Sequence, residues 1–333
     1  MKKVALIMAG GKGTRLWPLS TPEKPKQFIS LTKDGETLIQ KTYKRVNKLV
    51  EKENIFIITG IEYKHFLQEQ IPSIPDSNII LEPCGRNTAP AIAFSALYIK
   101  GIYKDDFVMM VFPSDHYILD ENEFIKDLNV AAECALSEKL VTIGIEPTEP
   151  NPDYGYIKVL SKEGNGKVLT VDKFVEKPTI SMAEKYLETK MYCWNAGIFI
   201  WKVSTFFDKL NTYSYELAKA IEEYYKRRNW TEEEYLSIQS ISIDYALLEK
   251  ASNVCVVPAS FGWSDLGSFM AIYKINNKDS RNNVWLGTVE QSGVIENSLL
   301  CLDSNVHIRI GQINNLCILA CNGGFRVEKL NDR

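Results

Sequence analysis

The sequence predicts an α/β fold, with a mixed, mostly parallel sheet covered by helices and a short β-rich tail. Two observations carry this. Apolar β-type runs alternate with segments of helical period through the first half of the chain. After about residue 276 helical period stops, and short apolar runs separated by Asn, Gly and Ser turns take over.

Taken in order, VALIM (4–8) is the first strand and a helix follows near 37–50. IFIIT (55–59) precedes a helix near 62–71, and NIILEP (78–83) precedes one near 88–103. In that last segment Ala89, Ile92, Ala93 and Ala96 share one helical face. FVMMVF (107–112) leads to a helix near 122–138, and LVTIGI (140–145) returns as a strand. This β-α-β alternation is the signature of a parallel sheet, in which ligands bind beyond the carboxyl ends of the strands. From 154 the pattern loosens into strands at 154–160, 167–176 and 193–202, with helices near 204–227 and 242–250. The tail reads as one or two coils of a β-helix. The expected division is a catalytic domain over 1–275 and a short, left-handed β-helix-like domain over 283–333.

Bulk properties narrow the function. At roughly 100–200 residues per domain, 333 residues make about two domains. With 45% hydrophobic and 24% charged residues the chain is an ordinary globular protein. The net charge of −3 argues against a nucleic-acid partner. No apolar stretch approaches the ~20 residues of a membrane span, so no membrane partner is expected. The start, MKKVALIMAGG, runs straight into glycines and reads as a strand, not a leader. Seven cysteines are scattered and odd in number, without a CxxC, and the three histidines are isolated. Neither a zinc site nor a disulfide framework is expected, and a reducing cytoplasm fits.

The stretch after the first strand, AGGKGTRLWPLSTPEKPKQF (9–28), is a glycine-rich loop. It is not a Walker A motif, since GxxxxGK[ST] is missing. It is not a dinucleotide fingerprint either, because Leu16 stands where the third glycine belongs. Pro18 would interrupt a long following helix. What remains is a turn of backbone N–H groups at Gly10, Gly11, Gly13 and Thr14, followed by Arg15, Lys24 and Lys26. Backbone nests and an arginine fork suit a polyphosphate. Taken alone, the loop reads first as a tight turn with solvated charges.

Further motifs follow in order: EPCGRNTAPAIAF (82–94), FPSDH (112–116), YGYI (154–157), FVEKP (174–178), WNAGIFIW (194–201), SIDYALLEK (242–250) and GWSDLGSF (262–269). Together with GGKGTRLWPLS and PKQF they resemble the sugar-nucleotide pyrophosphorylases, a family of Rossmann-like nucleotidyltransferases. LWPLS, PKQF and EPCGRNTAP resemble its mannose-1-phosphate guanylyltransferase branch. The resemblance is close over residues 1 to about 275 and weaker in the tail.

The resemblance implies the reaction GTP + α-D-mannose 1-phosphate → GDP-mannose + pyrophosphate, with Mg²⁺ as cofactor. The attacking phosphate is already anionic, so no protein nucleophile or general base is required; the protein brings two anions together and neutralises charge. It implies Arg15 and Lys26 as triphosphate cations, with Lys24 and Lys12 as secondary candidates. Asp115 and Asp265 are implied as Mg²⁺ ligands and Lys177 as the sugar-phosphate cation. Glu176, Gly155, Asn195 and Gly197 are implied for the sugar. Read as single residues, Asp115 and Asp265 also suit turn or helix-capping positions, and Glu176–Lys177 reads first as an exposed pair before a Pro-led turn. Glu82, Arg86 and Asn87 are candidates for the guanine edge, and Gly10, Gly11, Gly13 and Thr14 for the nucleotide phosphates. Asp244, at a helix start, suits capping as well as sugar contact. Trp194, Phe199 and Trp201 are expected in the core. A cytoplasmic homodimer is expected. The fused mannose-6-phosphate isomerase domain of some members is not expected within these 333 residues. Rival readings of the same residues are a sister enzyme such as a glucose-1-phosphate thymidylyltransferase, a non-catalytic nucleotide-sugar sensor and a NAD-linked enzyme.

Overall fold

The computed structural model describes residues 1–11, 13–161, 167–228, 231–287, 293–303, 306 and 310–331. Lys12 and His307 lie outside them. The chain runs β1 Lys2–Met8, α1 Leu38–Val46, β2 Ile55–Gly60, α2 Lys64–Gln70, β3 Ile79–Glu82, α3 Thr88–Ile102, β4 Phe107–Pro113, β5 Tyr117–Ile118 and α4 Glu121–Ala135. It continues through β6 Leu140–Ile145, β7 Tyr156–Val159, β8 Leu169–Val175, α5 Ile180–Thr189, β9 Tyr192–Lys202, α6 Val203–Tyr213, α7 Tyr215–Arg227 and α8 Glu232–Leu236. Last come β10 Val254–Ala259, β11 Trp263–Ser264, α9 Phe269–Ile275, β12 Val284–Gly287, β13 Ile295–Glu296, β14 Leu299–Leu302, β15 Ile313–Asn314, β16 Leu316–Cys321 and β17 Gly324–Lys329.

Contacts group the chain into two compact units. One holds Met1–Gly10, Lys44–Pro113 and Ile118–Trp263; the other holds Gly11–Tyr43, Ser114–Tyr117 and Ser264–Arg333. The sequence pattern suggests a division near residues 275–283, whereas the opening loop and the tail fall in one unit.

The first unit is built on a sheet that, among the described residues, has nine strands in the order β3-β2-β1-β4-β9-β6-β10-β8-β7. β3, β2, β1 and β4 are parallel. β9 runs antiparallel between β4 and β6, and β10 is parallel to β6. β8 pairs antiparallel with β10 and β7, so the sheet is mixed, with parallel pairing within β3-β2-β1-β4 and between β6 and β10. The apolar runs of β1 and β4 are covered on both faces: Val4 to Ile7 and Phe107 to Phe112 are all buried. α3 buries Ala89, Ile92, Ala93 and Ala96, the face that periodicity picks out, and Ala91 and Phe94 besides. Trp194, Phe199 and Trp201 are core residues.

Several elements depart from the sequence reading. β10 is not anticipated by it, nor are α5, α8 and α9; α5 buries only Ala183 and Tyr186 and so shows little of an apolar stripe. The helix expected over 204–227 is two helices. Ser214 breaks it with φ −146 and ψ 53, and its hydroxyl donates to Ala246 O at 2.6 Å. The helix expected at 242–250 is a π turn over Asp244–Leu248.

In the second unit β12, β14 and β16 stack in parallel, with Val284 opposite Leu299 and Leu299 opposite Cys317; β13 and β15 pair likewise. These are the coils of the expected β-helix-like tail. Asn282, Asn297 and Asn315 turn equivalent corners at φ 59, 49 and 56, a conformation asparagine tolerates better than most residues. The Asn282 amide donates to Asn297 at 3.2 Å and that of Asn297 to Asn314 at 2.9 Å. Leu299, Cys317 and Leu319 share one core cluster with Leu16, Leu19, Leu31 and Phe269. That shared core is why loop and tail form one unit.

Candidate active site

The opening loop leaves β1 and makes a single 3₁₀ turn, Thr14–Leu16, anchored by buried Leu16. Pro18 follows, and no long helix forms. Gly13 sits at φ 58, and a Cβ there would lie 2.8 Å from both Cβ and backbone N of Lys26. Only glycine allows the loop to lie against Lys26. The Ser20 hydroxyl donates to Gly13 O, and the Gln27 amide donates to Gly11 O at 3.0 Å. Gly11, Thr14, Arg15 and Lys24 are exposed, and Arg15 makes no ion pair among the described residues.

Lys26 behaves otherwise. Its side chain is only 8% exposed, and its ammonium donates to Asp115 Oδ2 at 2.8 Å and to the Asp265 carbonyl. One cation therefore gathers the two aspartates that the sequence singles out. Burial by itself would raise the Asp115 carboxyl; the Lys26 and His116 charges outweigh it and hold the carboxyl below its usual range. Asp115 caps no helix, since Asp120 caps α4 by accepting from the Asn122 and Glu123 amides at 3.0 Å. Asp265 does not cap α9 either; Ser268 does, and Asp265 Oδ1 instead accepts from Gly267 N at 3.0 Å. Leu266 between them is held at φ 50, a conformation costly for a branched residue.

The nucleotide candidates of the first unit gather at the end of β3. Glu82 is buried, and Tyr235 Oη donates to its Oε1 at 2.9 Å. A Cβ on Gly10 would lie 3.5 Å from Glu82 Oε2, so the first glycine of the loop borders this carboxyl. Burial pushes Glu82 up to about 7, although the Tyr235 hydroxyl and a backbone bond act the other way. Arg86 points elsewhere: its Nε donates to Ile238 O at 2.8 Å and its Nη2 to the same oxygen. Asn87, at φ 70, caps α3 by accepting from Thr88 N at 2.8 Å. The Thr88 hydroxyl accepts from Ile243 N at 2.8 Å.

The sugar candidates also come together in the first unit. Asn195 N donates to Gly155 O at 2.8 Å, and a Cβ on Gly155 would meet Glu176 Oε2 at 2.7 Å. Asn195 Oδ1 accepts from Gly197 N at 3.1 Å, which Gly197 permits at φ 66. Asn195 Nδ2 donates to Asp244 Oδ1 at 2.8 Å. Burial, then the nearby Glu176 charge, raises Asp244 to about 6. Lys177 is exposed and held at φ 44, its ammonium 3.9 Å from Glu176 Oε1. Strain of this kind collects at functional positions. Tyr235 is the residue that sequence reasoning misses: it lies on a helix too short to show a period, 153 positions from Glu82. Asp244, left open from sequence, joins the Asn195 cluster.

Among the described residues no group of three or more His, Cys, Asp or Glu side chains is arranged to hold a metal. Two carboxylates with the remaining positions left to phosphate and water is the way Mg²⁺ is usually held in phosphate chemistry. Asp115 and Asp265 fit that donor set.

A doubly covered mixed sheet, with phosphate-type loop and carboxylates following its strands, defines a nucleotide-handling α/β enzyme class. Residues 4–282 match the nucleotidyl transferase family, and the chain belongs to that family. It is 40% identical over 300 residues to the mannose-1-phosphate guanylyltransferase RfbM of Salmonella typhimurium, covering 87% of this chain and 62% of that protein. It is 35% identical over 339 residues to the Escherichia coli mannose-1-phosphate guanylyltransferase, covering 98% and 72%. The chain thus spans about two thirds of the length of these curated relatives. Its structure superposes on a Thermus thermophilus protein, named mannose-1-phosphate geranyltransferase, with a TM-score of 0.87, 30% identity and 99% and 96% coverage.

Two outcomes are expected of the apo protein. Lys26→Met strips both aspartates of their shared cation and lowers stability by about 2 kcal/mol, between the values for exposed and buried pairs, as read by urea unfolding. Glu82 has a second, pH-dependent effect. Its folded value lies above the ordinary 4.5, so its ionisation costs nothing below 4.5 and destabilises progressively up to about 7. Glu82→Gln should therefore melt above wild type at about pH 8, with the gap closed at about pH 4. A gap of equal size at both pH values would contradict the assignment.

Proposed function

We propose that the protein transfers GMP from GTP to α-D-mannose 1-phosphate, releasing pyrophosphate. The observation that carries the catalytic part is the Lys26 ammonium joining Asp115 and Asp265 beside the glycine loop. The choice of base and sugar rests on the named relatives, on the quoted motifs and on the Glu82 and Asn195 clusters.

In this reading a phosphate oxygen of mannose 1-phosphate attacks the α-phosphorus of GTP, and pyrophosphate leaves in line. Arg15, exposed on its 3₁₀ turn, offers a guanidinium fork to the triphosphate, and the loop amides of Gly11, Gly13 and Thr14 offer neutral donors. Asp115 and Asp265 would hold Mg²⁺, which would supply positive charge against the phosphates of the two substrates. Lys26 keeps the Asp115 carboxyl ionised and both residues in place. Lys177 meets the sugar phosphate. Glu176, Asn195 and Asp244, with the close approach at Gly155, take sugar hydroxyls. Glu82 accepts from guanine N1–H and N2–H₂. As a buried carboxyl near neutrality it gives up its proton when those donors arrive, so GTP binds more tightly as pH rises through about 7. A buried acceptor left unpaired by another base is the source of base selectivity. We also propose a cytoplasmic homodimer. Among the described residues no helix is long and apolar enough to cross a membrane.

The decisive experiment crosses the common nucleoside triphosphates with hexose 1-phosphates and reads pyrophosphate release. GTP with mannose 1-phosphate should give the highest kcat/KM. A win for dTTP with glucose 1-phosphate would reassign the enzyme to a sister branch, and no release with any pair would favour a sensor. A second expectation concerns the metal. Asp115→Ala and Asp265→Ala should each lower turnover by about a hundredfold or more, and excess Mg²⁺ should restore little. Near-normal turnover in either variant removes that aspartate from the metal site.

A further inference from the structure

The C-terminal hairpin β16–β17 does more than close the tail. Its turn, Asn322–Gly323, runs through the left-handed region at φ 51 and 72. This aims the Asn322 amide at the opening loop, where Nδ2 donates to Pro18 O at 2.9 Å and to Leu19 O at 3.2 Å. Arg326, two residues into β17, donates from Nη1 to Trp17 O at 3.1 Å. Three successive carbonyls of the loop are thus held by two side chains of the hairpin. Gly324 closes the contact: a Cβ there would lie 2.6 Å from Pro18 Cβ and 2.9 Å from Trp17 Cζ2. Arg326 is itself fixed. Glu328 Oε2 accepts from its Nε at 2.9 Å, and its guanidinium lies 4.9 Å from the Phe269 ring centre.

Both elements that Arg326 touches adjoin chemistry. Trp17 is two residues from Arg15, and Phe269 opens α9 four residues after Asp265. The segment between, Thr14–Leu16, is a three-residue turn whose first two residues are exposed. So short a turn does not hold its own geometry. Its order comes from Leu16 beneath it and from the anchors that follow. Asparagine suits the corner on two grounds: it tolerates positive φ, and its amide carries the donors that backbone carbonyls need.

We propose that the C-terminal hairpin is the positioning element of the phosphate loop, with Asn322 and Arg326 as positioning residues that set Arg15 through the carbonyls of residues 17–19. The proposal rests on Arg15 serving the triphosphate, as in the functional reading above. It assigns the tail a part in the transfer step. Misplacement of a charged fork by about 1 Å at a reacting phosphate costs up to about a hundredfold in rate, so a tether outside the reaction centre is expected to show in kcat.

The test compares Asn322→Gly, Asn322→Asp, Arg326→Ala and Arg326→Lys in the full chain. Glycine keeps the left-handed corner and removes both donors; aspartate keeps the shape and turns an acceptor on the carbonyls. Amide hydrogen exchange is read over residues 14–21 and over β1 and β4. Melting temperature and steady-state kinetics are measured on the same preparations. For Asn322→Gly and Asn322→Asp, exchange in 14–21 should quicken by about tenfold while that of β1 and β4 is unchanged. kcat should fall by about tenfold or more, and KM for mannose 1-phosphate should stay near wild type. Arg326→Lys should recover much of what Arg326→Ala loses, since one donor to Trp17 O survives. Unchanged exchange in 14–21 overturns the proposal, and so does quickened exchange with unchanged kcat. A lower melting temperature with exchange raised evenly would mean that the hairpin only stabilises the unit. A wild type inactive with every substrate pair would sink the functional reading and with it the catalytic half of the proposal, while exchange would still decide whether the hairpin holds the loop.

Discussion

The second unit depends on one nearly buried ammonium. Lys26 sits where the glycine loop must lie against it, and Gly13 is glycine for that reason. From there Lys26 reaches the Asp115 carboxyl and the Asp265 carbonyl, two residues 150 positions apart in the chain. With Lys26 beside it, the Asp115 carboxyl is held below its usual range in spite of its burial. Three segments converge on this ion pair, from residues 11–43, 114–117 and 264–333.

The carboxylates of the first unit show the opposite physics. Glu82 is buried and Asp244 half-buried, each against a neutral donor: Glu82 has a tyrosine hydroxyl and Asp244 an asparagine amide. Such donors offset only part of the desolvation, so these groups rise to about 7 and about 6, while Asp115 is lowered. Acids of the same kind are thus prepared for different work by their surroundings. A carboxylate kept permanently ionised suits a metal ion. A carboxyl poised near neutrality suits a ligand whose own donors draw it into the charged form.

Legibility follows the same division. Motif order, the loop glycines and the candidate carboxylates are readable, because each carries its meaning in residue type and in position after a strand. The roles of Arg86 and Asn87 are less so. As side chains in a nucleotide motif they look like base readers, yet Arg86 spends two donors on Ile238 O and Asn87 caps α3. Tyr235 gives no signal at all, since its partner Glu82 is distant in sequence. The β-helix coils are visible as short strands, but the repeat is obscured by unequal spacing of its asparagine corners, at 282, 297 and 315.

The sequence by itself determined the alternation of strands and helices, the glycine that lets the loop close, and the set of residue types for phosphate chemistry. These are local properties: periodicity, backbone freedom and side-chain charge. Tertiary structure alone decided which charges meet. Whether Lys26 faces solvent or two aspartates, whether Glu82 is ionised, and whether the last hairpin touches residues 17–19 all depend on contacts between segments far apart in the chain. Burial and Coulomb energy act through space, and neither is written in the order of the residues.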